Sequence, residues 1–228
     1  NLDAIIVAQV CEEPRLIMSF QGKEVVNISR AFLDTNGVRG RQKVVIAMDK
    51  QTAHPFRNEI KADKEAGFLE MLHLPNVASQ IGLSEMFDAS IGKSTVLMPW
   101  GGKYQLSEEE GSVQKLPVFG FTHTCSLMSY GFDPQIAQYS PYLGASYSVI
   151  EALARMSALG ADYQTCRLSN QEYFERLGDD PRKWGKPMQA LLGLMEAQKA
   201  FETPSIGGKD SMSGTFNDIS VPPTLITF

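Results

Sequence analysis

The hydrophobic pattern changes character along the chain. Residues 4–10 form an apolar run, broken by Gln9, of the kind that makes a buried strand. Two short runs, Arg15-Leu16-Ile17-Met18-Ser19-Phe20 and Lys23-Glu24-Val25-Val26-Asn27-Ile28, flank Gln21-Gly22, which predicts a β-hairpin. Asp34-Thr35-Asn36-Gly37 reads as a turn and residues 43–47 as a short strand. Residues 49–67 are polar and mixed in charge, the pattern of a linker or a solvated helix. From residue 68 onward helical and strand periods alternate. Phe68, Leu69 and Leu72 share one helical face, residues 95–98 read as a strand, and residues 118–128 read as one long strand. Val149, Ile150, Leu153, Met156 and Leu159 follow helical spacing, with Gly160 as the stop. Ser169 and Glu172 make a capping-box pattern ahead of Tyr173, Phe174 and Leu177. Asp180-Pro181 and Lys186-Pro187 are helix-start signals. The helix running from Pro187 to about Phe201 is expected to turn Leu191, Leu192 and Met195 inward, with Pro204 just beyond its end. The expected organisation is a β-rich unit over residues 1–48, a linker over 49–67, and an α/β (α+β) unit over 68–228.

Composition narrows the classes. The 228 residues are 43% hydrophobic and 21% charged, which excludes a disordered or collagenous chain. The net charge of −5 argues against a nucleic-acid or anionic-membrane binder, leaving room only for a local basic pocket. Cys11, Cys125 and Cys166 are far apart, and no CxxC pair suggests a zinc cluster. Free thiols in a reducing cytoplasm are the expectation. No apolar run approaches the roughly 18 residues of a membrane span. The chain opens on Asn1 and closes on the strand-like Thr224-Leu225-Ile226-Thr227-Phe228, so a piece of a longer polypeptide is expected.

The most chemically suggestive stretch is Ile206-Gly207-Gly208-Lys209-Asp210-Ser211-Met212-Ser213-Gly214. Glycines let backbone amides approach an anion, a lysine offsets phosphate charge, and Asp210 could hold a magnesium ion. The spacing is not that of a P-loop. A glycine-rich surface loop with a solvated lysine explains the same residues equally well. Gly92-Lys93-Ser94-Thr95 repeats the chemistry ahead of a strand, against the alternative of a tight turn. Ser140-Pro141 reads chiefly as a helix cap and start, and Glu151 lies farther along that helix. His73 reads as structural. His123 and Cys125 share a strand face without an orienting carboxylate, so they do not make a nucleophilic pair.

The C-terminal third is more specific. Gln171-Glu172-Tyr173-Phe174-Glu175-Arg176-Leu177-Gly178, Asp180-Pro181-Arg182-Lys183-Trp184-Gly185-Lys186-Pro187, residues 206–216 and Val221-Pro222-Pro223-Thr224 closely resemble the phosphoribosylformylglycinamidine synthase family, in particular its large single-chain bacterial form. Residues 95–106 and 126–132 support the same resemblance, which residues 68–228 mostly carry. Glu13-Pro14-Arg15-Leu16 and residues 32–37 resemble the tail of the preceding subdomain.

The resemblance implies a glutamine-dependent carbon–nitrogen ligase of purine synthesis. Such enzymes activate formylglycinamide ribonucleotide with ATP and magnesium, using ammonia from a separate glutaminase domain. It implies an aminoimidazole-ribonucleotide-synthetase fold: the end of a C-terminal-like subdomain, then a second-half N-terminal-like subdomain with a mixed sheet and helices on one face. The partners implied are the first-half N-terminal-like subdomain and the glutaminase domain of the same polypeptide. No nucleic acid or membrane partner is implied. Alone, the piece is expected to be inactive and to self-associate through its pairing sheet. Nucleotide contacts, with ATP or ADP, carry over to Gly207, Gly208, Lys209, Asp210, Ser211, Lys93 and Thr95, and a magnesium ligand to Glu151. No catalytic residue carries over. Two departures stand out: Arg155 occupies the position of an asparagine, and Phe119 that of an aspartate. Losing two oxygen ligands and adding a cation weakens a magnesium site. A scaffold module with a degenerate nucleotide site, and a free-standing kinase or ligase of the same superfamily, are the rival readings.

Overall fold

The computed structural model describes residues 2–35, 40–47, 54–56, 63–75, 77–87 and 94–228. It divides into two compact units, Asn1–Gln42 and Lys43–Phe228.

In the first unit, β1 (Arg15–Phe20) and β2 (Lys23–Ser29) pair antiparallel from Arg15↔Ser29 to Phe20↔Lys23. Gln21 (φ 49°) and Gly22 (φ 74°) both sit in the left-handed region. This is the mirror-image turn whose twist matches that of the strands, so the expected hairpin forms. Ser29 then caps the short helix α1 (Arg30–Leu33), accepting from the Phe32 N–H at 3.3 Å. Asp34 and Thr35 lie in the expected turn, and Asn36 and Gly37 lie outside the described residues. The strand expected over 4–10 does not form. Ile6 and Val7 are 92% exposed, and among the described residues no strand lies beside them to take up their backbone groups. No described residue of this unit is buried.

The second unit opens with α2 (Lys64–Leu72), capped by the Asp63 carboxylate, which accepts from the N–H groups of Glu65 and Ala66. A helix therefore starts within the stretch expected as a linker or a solvated helix. Its Phe68, Leu69 and Leu72 stripe forms on one face but is exposed. Then come α3 (Ile81–Phe87), β3 (Thr95–Leu97), β4 (Trp100–Gly101), β5 (Ser107–Glu108), β6 (Gly111–Lys115) and β7 (Cys125–Ser129). β3, β6 and β7 form an antiparallel sheet in that order, and β4 pairs with β5. The long strand expected over 118–128 shrinks to β7. Its ladder with β6 ends at Lys115↔Cys125. Beyond that point Pro117 cannot donate, and Gly120 turns the backbone left-handed (φ 94°).

The rest is a layered α/β arrangement. Asp133 caps α4 (Pro134–Tyr139), and Ser140 caps α5 (Pro141–Ala158), which Gly160 follows at φ 90°. A short 3₁₀ turn (Tyr163–Thr165) leads to β8 (Leu168–Tyr173). α6 (Pro181–Phe201), capped by Asp180, carries the chain to β9 (Ser205–Ser211), which lies parallel to β8. β10 (Thr215–Phe216) and β11 (Ile219–Ser220) form a small ladder. β12 (Thr224–Thr227) closes the sheet antiparallel to β8, in the order β12-β8-β9. Val149 and Leu153 of α5, Ala190 and Leu194 of α6, Leu168, Phe174 and Leu225 make the core between helices and sheet.

Four expectations change here. Ser169 and Glu172 belong to strand β8 rather than a capping box, because burial alternates along 168–172. Pro187 lies inside α6, not at its start: Asp180 already caps the helix and the proline is buried. Leu191 and Met195 face out, while Ala190, Gly193, Leu194 and Ala197 face in. At Gly193 a Cβ would run into the Tyr142 carbonyl oxygen, so the α5–α6 seam is built from small side chains. Residues 43–47 form no strand. The Val45 N–H donates to Pro181 O at 2.8 Å and Gln189 Nε2 to Ala47 O at 3.4 Å, which ties this segment to α6 and the second unit. No helix among the described residues is long and apolar enough to cross a membrane.

Candidate functional site

The Gly-Gly-Lys-Asp-Ser stretch is not a loop. It is β9, the edge strand of the β12-β8-β9 sheet. Parallel pairing sets Gly207 against Ser169, Gly208 against Asn170, Lys209 against Gln171, Asp210 against Glu172 and Ser211 against Tyr173. Gly208 is demanded here: a Cβ would meet the Asn170 backbone. Side chains alternate across a strand, so Lys209 and Ser211 share one sheet face while Gly208 and Asp210 share the other. The Lys209 ammonium lies 5.0 Å from the centre of the Tyr173 ring and is exposed. Ser211 and Ser213 join their hydroxyls at 3.1 Å. The outer edge of β9 offers its backbone amides flat along a strand rather than curled into a cradle.

The opposite face holds a buried polar row. Asn170 donates from Nδ2 to Ser205 Oγ, a contact of 2.5 Å, and accepts from Thr227 Oγ1 at 3.1 Å. Thr227 in turn meets Ser148 Oγ of α5 at 2.8 Å. Glu172 follows on that face, only 8% exposed, and its Oε1 is buried without a hydrogen-bond partner. Burial first, and then the charge of Asp210, push its carboxyl up to about 7. Just past β8, Glu175 has the contrasting environment. Burial pushes its carboxyl up, but hydrogen bonds from Lys186 and Lys183, together with their charges, outweigh that and the net shift is downward. Lys183 Nζ lies 2.9 Å from Glu175 Oε2, and Lys186 binds the other oxygen.

The residues expected to share a site do not all come together. Lys93 lies outside the described residues. Thr95, on β3 of the other sheet, donates to Gln114 Oε1 at 3.0 Å. Glu151, on α5, is already engaged: the Arg155 guanidinium lies 2.9 Å from Oε1, and the Phe132 N–H donates to Oε2 at 2.7 Å. Arg155 also grips both oxygens of Glu110, at 3.0 and 3.1 Å, donates to Tyr130 O at 2.6 Å, and lies over the Tyr130 ring. Phe119 is fully exposed in the 118–124 loop. Among the described residues no three His, Cys, Asp or Glu side chains converge as a metal cluster. The oxygens of Glu151, facing a guanidinium and an N–H donor, do not fit a magnesium ion.

His73 Nδ1 lies 2.7 Å from Leu69 O, a helix-end contact. His123 packs edge-on against Phe121, and the Cys125 thiol faces the His123 carbonyl rather than its ring, so no nucleophilic pair exists there. All three cysteines are free. Burial and the Asp162 charge push the Cys166 thiol up, against a smaller opposing effect of Arg167, so it is a poor nucleophile. The face of the β3-β6-β7 sheet carries a groove of about 510 Å³ lined by Leu97, Gln114, Met128 and Tyr130 among others.

Sequence reasoning missed Glu172 and the Glu175–Lys186 pair. The signal was present: Leu168, Asn170, Glu172 and Phe174 share one parity, and the first and last are core residues. A polar residue at such a position is a buried one.

No family model matches the chain. Among curated proteins, the phosphoribosylformylglycinamidine synthase subunit PurL of Methanosarcina barkeri is 25% identical over 214 residues, covering 93% of this chain and 27% of its own length. The PurL subunit of Thermus thermophilus is 25% identical over 231 residues, covering 98% of this chain and 29% of itself. The chain thus spans little more than a quarter of these relatives. Among solved structures, PurLQS from Thermotoga maritima superposes with a TM-score of 0.66 at 17% identity, over 96% of this chain and 32% of that one. Thermotoga maritima PurL complexed with ATP gives 0.61 at 16% identity, over 95% and 31%. The chain is PurL-like over nearly its whole length, and its fold is that of PurL, the aminoimidazole-ribonucleotide-synthetase type. These relatives are PurL subunits and do not single out the large single-chain form that the motifs resemble.

Proposed function

We propose that this chain forms part of a phosphoribosylformylglycinamidine synthase, the ATP- and glutamine-dependent ligase that converts formylglycinamide ribonucleotide to its amidine. One observation carries the reading: PurL likeness in sequence and in fold runs over more than nine-tenths of the chain. The Thermotoga maritima neighbours complexed with ATP, with ADP and with FGAR supply the ligand class. The chain covers too little of its relatives to hold a whole synthetase, and it is inactive by itself. It works beside the first-half N-terminal-like subdomain and a glutaminase domain, in the cytoplasm. Residues 68–228 act as the second-half N-terminal-like subdomain, and the open face of β3-β6-β7 is where its sheet pairs.

Within that assembly, Lys209 is the phosphate contact. Its ammonium is exposed, is not tied up by a carboxylate among the described residues, and sits on the edge strand of the sheet, where alternate backbone amides such as that of Gly208 face outward. Positive charge and fixed donors at such an edge offset the charge of a polyphosphate. Glu151 is an ion-pair residue here rather than a magnesium ligand, because Arg155 fills the place where a cation would lie. A scaffold with degenerate nucleotide contacts is the second reading, favoured by that same Arg155–Glu151 pair.

Calorimetric titration of ATP and ADP, with magnesium, into the chain and its Lys209→Ala variant tests the assignment. Saturable heat in the wild type that weakens at least tenfold in the variant is expected, a loss of more than about 1.4 kcal/mol. Equal binding by both proteins would remove Lys209 from the site. No binding by either, in the chain or in the full-length polypeptide, would favour the scaffold.

A further inference from the structure

We propose that a cavity lined by the first half of α6 binds a small organic acid that also carries a neutral N–H donor, the chemistry of an amide-bearing carboxylate. The cavity measures about 320 Å³, and Glu175, Lys186, Gln189, Pro141, Pro222 and Pro223 line it. That volume lies at the lower end of the range for small-ligand pockets. Lys186 and Gln189 stand three residues apart on α6, so they share one helix face with Cβ atoms about 5–6 Å apart. The three prolines stiffen the wall: their rings restrict the backbone, and they bring no N–H of their own. A wall held this way loses little freedom when a ligand enters.

Gln189 carries the inference. It is 8% exposed, and its Nε2 donates at 3.4 Å to the carbonyl of Ala47, another residue of the cavity wall. Among the described residues no hydrogen bond reaches its Oε1. A buried amide oxygen without a donor is costly, and a ligand N–H removes that cost. The charge beside it is fixed as well. Glu175 takes one ammonium on each oxygen, Lys183 on Oε2 and Lys186 on Oε1. Two lysines against one carboxylate leave an excess of positive charge, which draws in an anion and disfavours a ligand ammonium. Of its three N–H donors, Lys186 spends one on Glu175 and, among the described residues, none elsewhere. Its side chain is 41% exposed, so a ligand from solvent reaches it. An acid with its N–H a few bonds from the carboxylate spans Lys186 and Gln189 together. Lys209, on β9, is not among the lining residues, so this site is separate from the proposed phosphate contact.

The test titrates succinamate, a short acid ending in a primary amide, into the isotope-labelled 228-residue chain. Nuclear magnetic resonance follows the backbone amide signals at positions 186 and 189. The expected result is a saturable shift with one site per chain. Butyrate, which lacks the amide, and butyramide, which lacks the charge, should each bind about tenfold more weakly. Lys186→Gln alters a partly exposed residue, leaves Glu175 paired with Lys183, and is expected to weaken succinamate by about tenfold or more. Gln189→Met, similar in size but without the acceptor, should bring succinamate down to the affinity of butyrate. Should Gln189→Met fail to fold, the comparison of succinamate with butyrate on the wild type decides that contact. No saturable shift in the wild type, equal affinity in folded Lys186→Gln, or butyrate binding as tightly as succinamate would overturn the proposal.

Discussion

The N-terminal hairpin and the α5–α6 layer are written in similar residues but held in different ways. β1 and β2 carry Leu16, Ile17, Met18 and Phe20, yet these side chains remain 43–66% exposed. Val149 and Phe174, no more apolar, are fully buried beneath α5, α6 and the sheet. The hairpin is shaped by its turn, by ladder hydrogen bonds and by a helix cap, all within a few residues of one another. The layer is shaped by residues that meet across long stretches of chain, such as Ser148 with Thr227 and Ser146 with Gly193. Local signals set a conformation without creating a core, and only non-local packing removes apolar surface from water.

The sharpest way to break this comparison is at Phe174. Phe174→Ala should cost about 3–5 kcal/mol in a denaturant titration, whereas Phe20→Ala in the hairpin should cost under about 0.5. Similar losses at both positions would mean that the hairpin is buried in solution.

A second effect separates Glu172 from Glu175, three residues apart. The folded-state carboxyl of Glu172 is raised to about 7 from an ordinary 4.5. Over that window the folded state holds a proton that the unfolded chain releases, so stability is full below pH 4.5 and declines as pH rises to about 7. In chelator-treated buffer the decline should reach up to about 3 kcal/mol, and Glu172→Gln should flatten it. Glu175 slopes the opposite way: its lowered carboxyl adds stability above its ordinary value, lost on acidification. A wild-type profile without slope between pH 4.5 and 7 would show Glu172 to be hydrated or paired.

The smallest expected effect tests the helix seam. Gly193→Ala places a methyl against the Tyr142 carbonyl and should cost about 1–3 kcal/mol, despite alanine's better helix propensity. A stabilised variant would show that α5 and α6 have room to part.

Much of the architecture could be read from residues alone, wherever the cause was local. Gln21-Gly22 predicted its hairpin, Ser140-Pro141 and Asp180-Pro181 their helix starts, and Gly160 and Pro204 their helix ends. The failures share a cause. Ser169-Asn170-Gln171-Glu172 satisfies a capping pattern, yet pairing with β9 and β12 makes it a strand. Lys186-Pro187 satisfies a helix start, yet Asp180 had already opened the helix. Glycines and a lysine suggested a phosphate loop, yet parallel pairing with β8 draws them straight. The buried Glu172 was invisible because burial depends on which strand lies alongside.

By itself, the sequence determined the hairpin turn, the caps of α5 and α6, the PurL-like motif order and the identity of the candidate residues. These depend on backbone preferences and hydrogen bonds reaching only three or four residues along the chain. Tertiary structure alone decided that Lys209 and Asp210 part to opposite faces, that Arg155 occupies Glu151, and that Glu172 lacks a counter-charge. Each of those depends on strand register or helix packing between distant segments, and desolvation and charge pairing act through space.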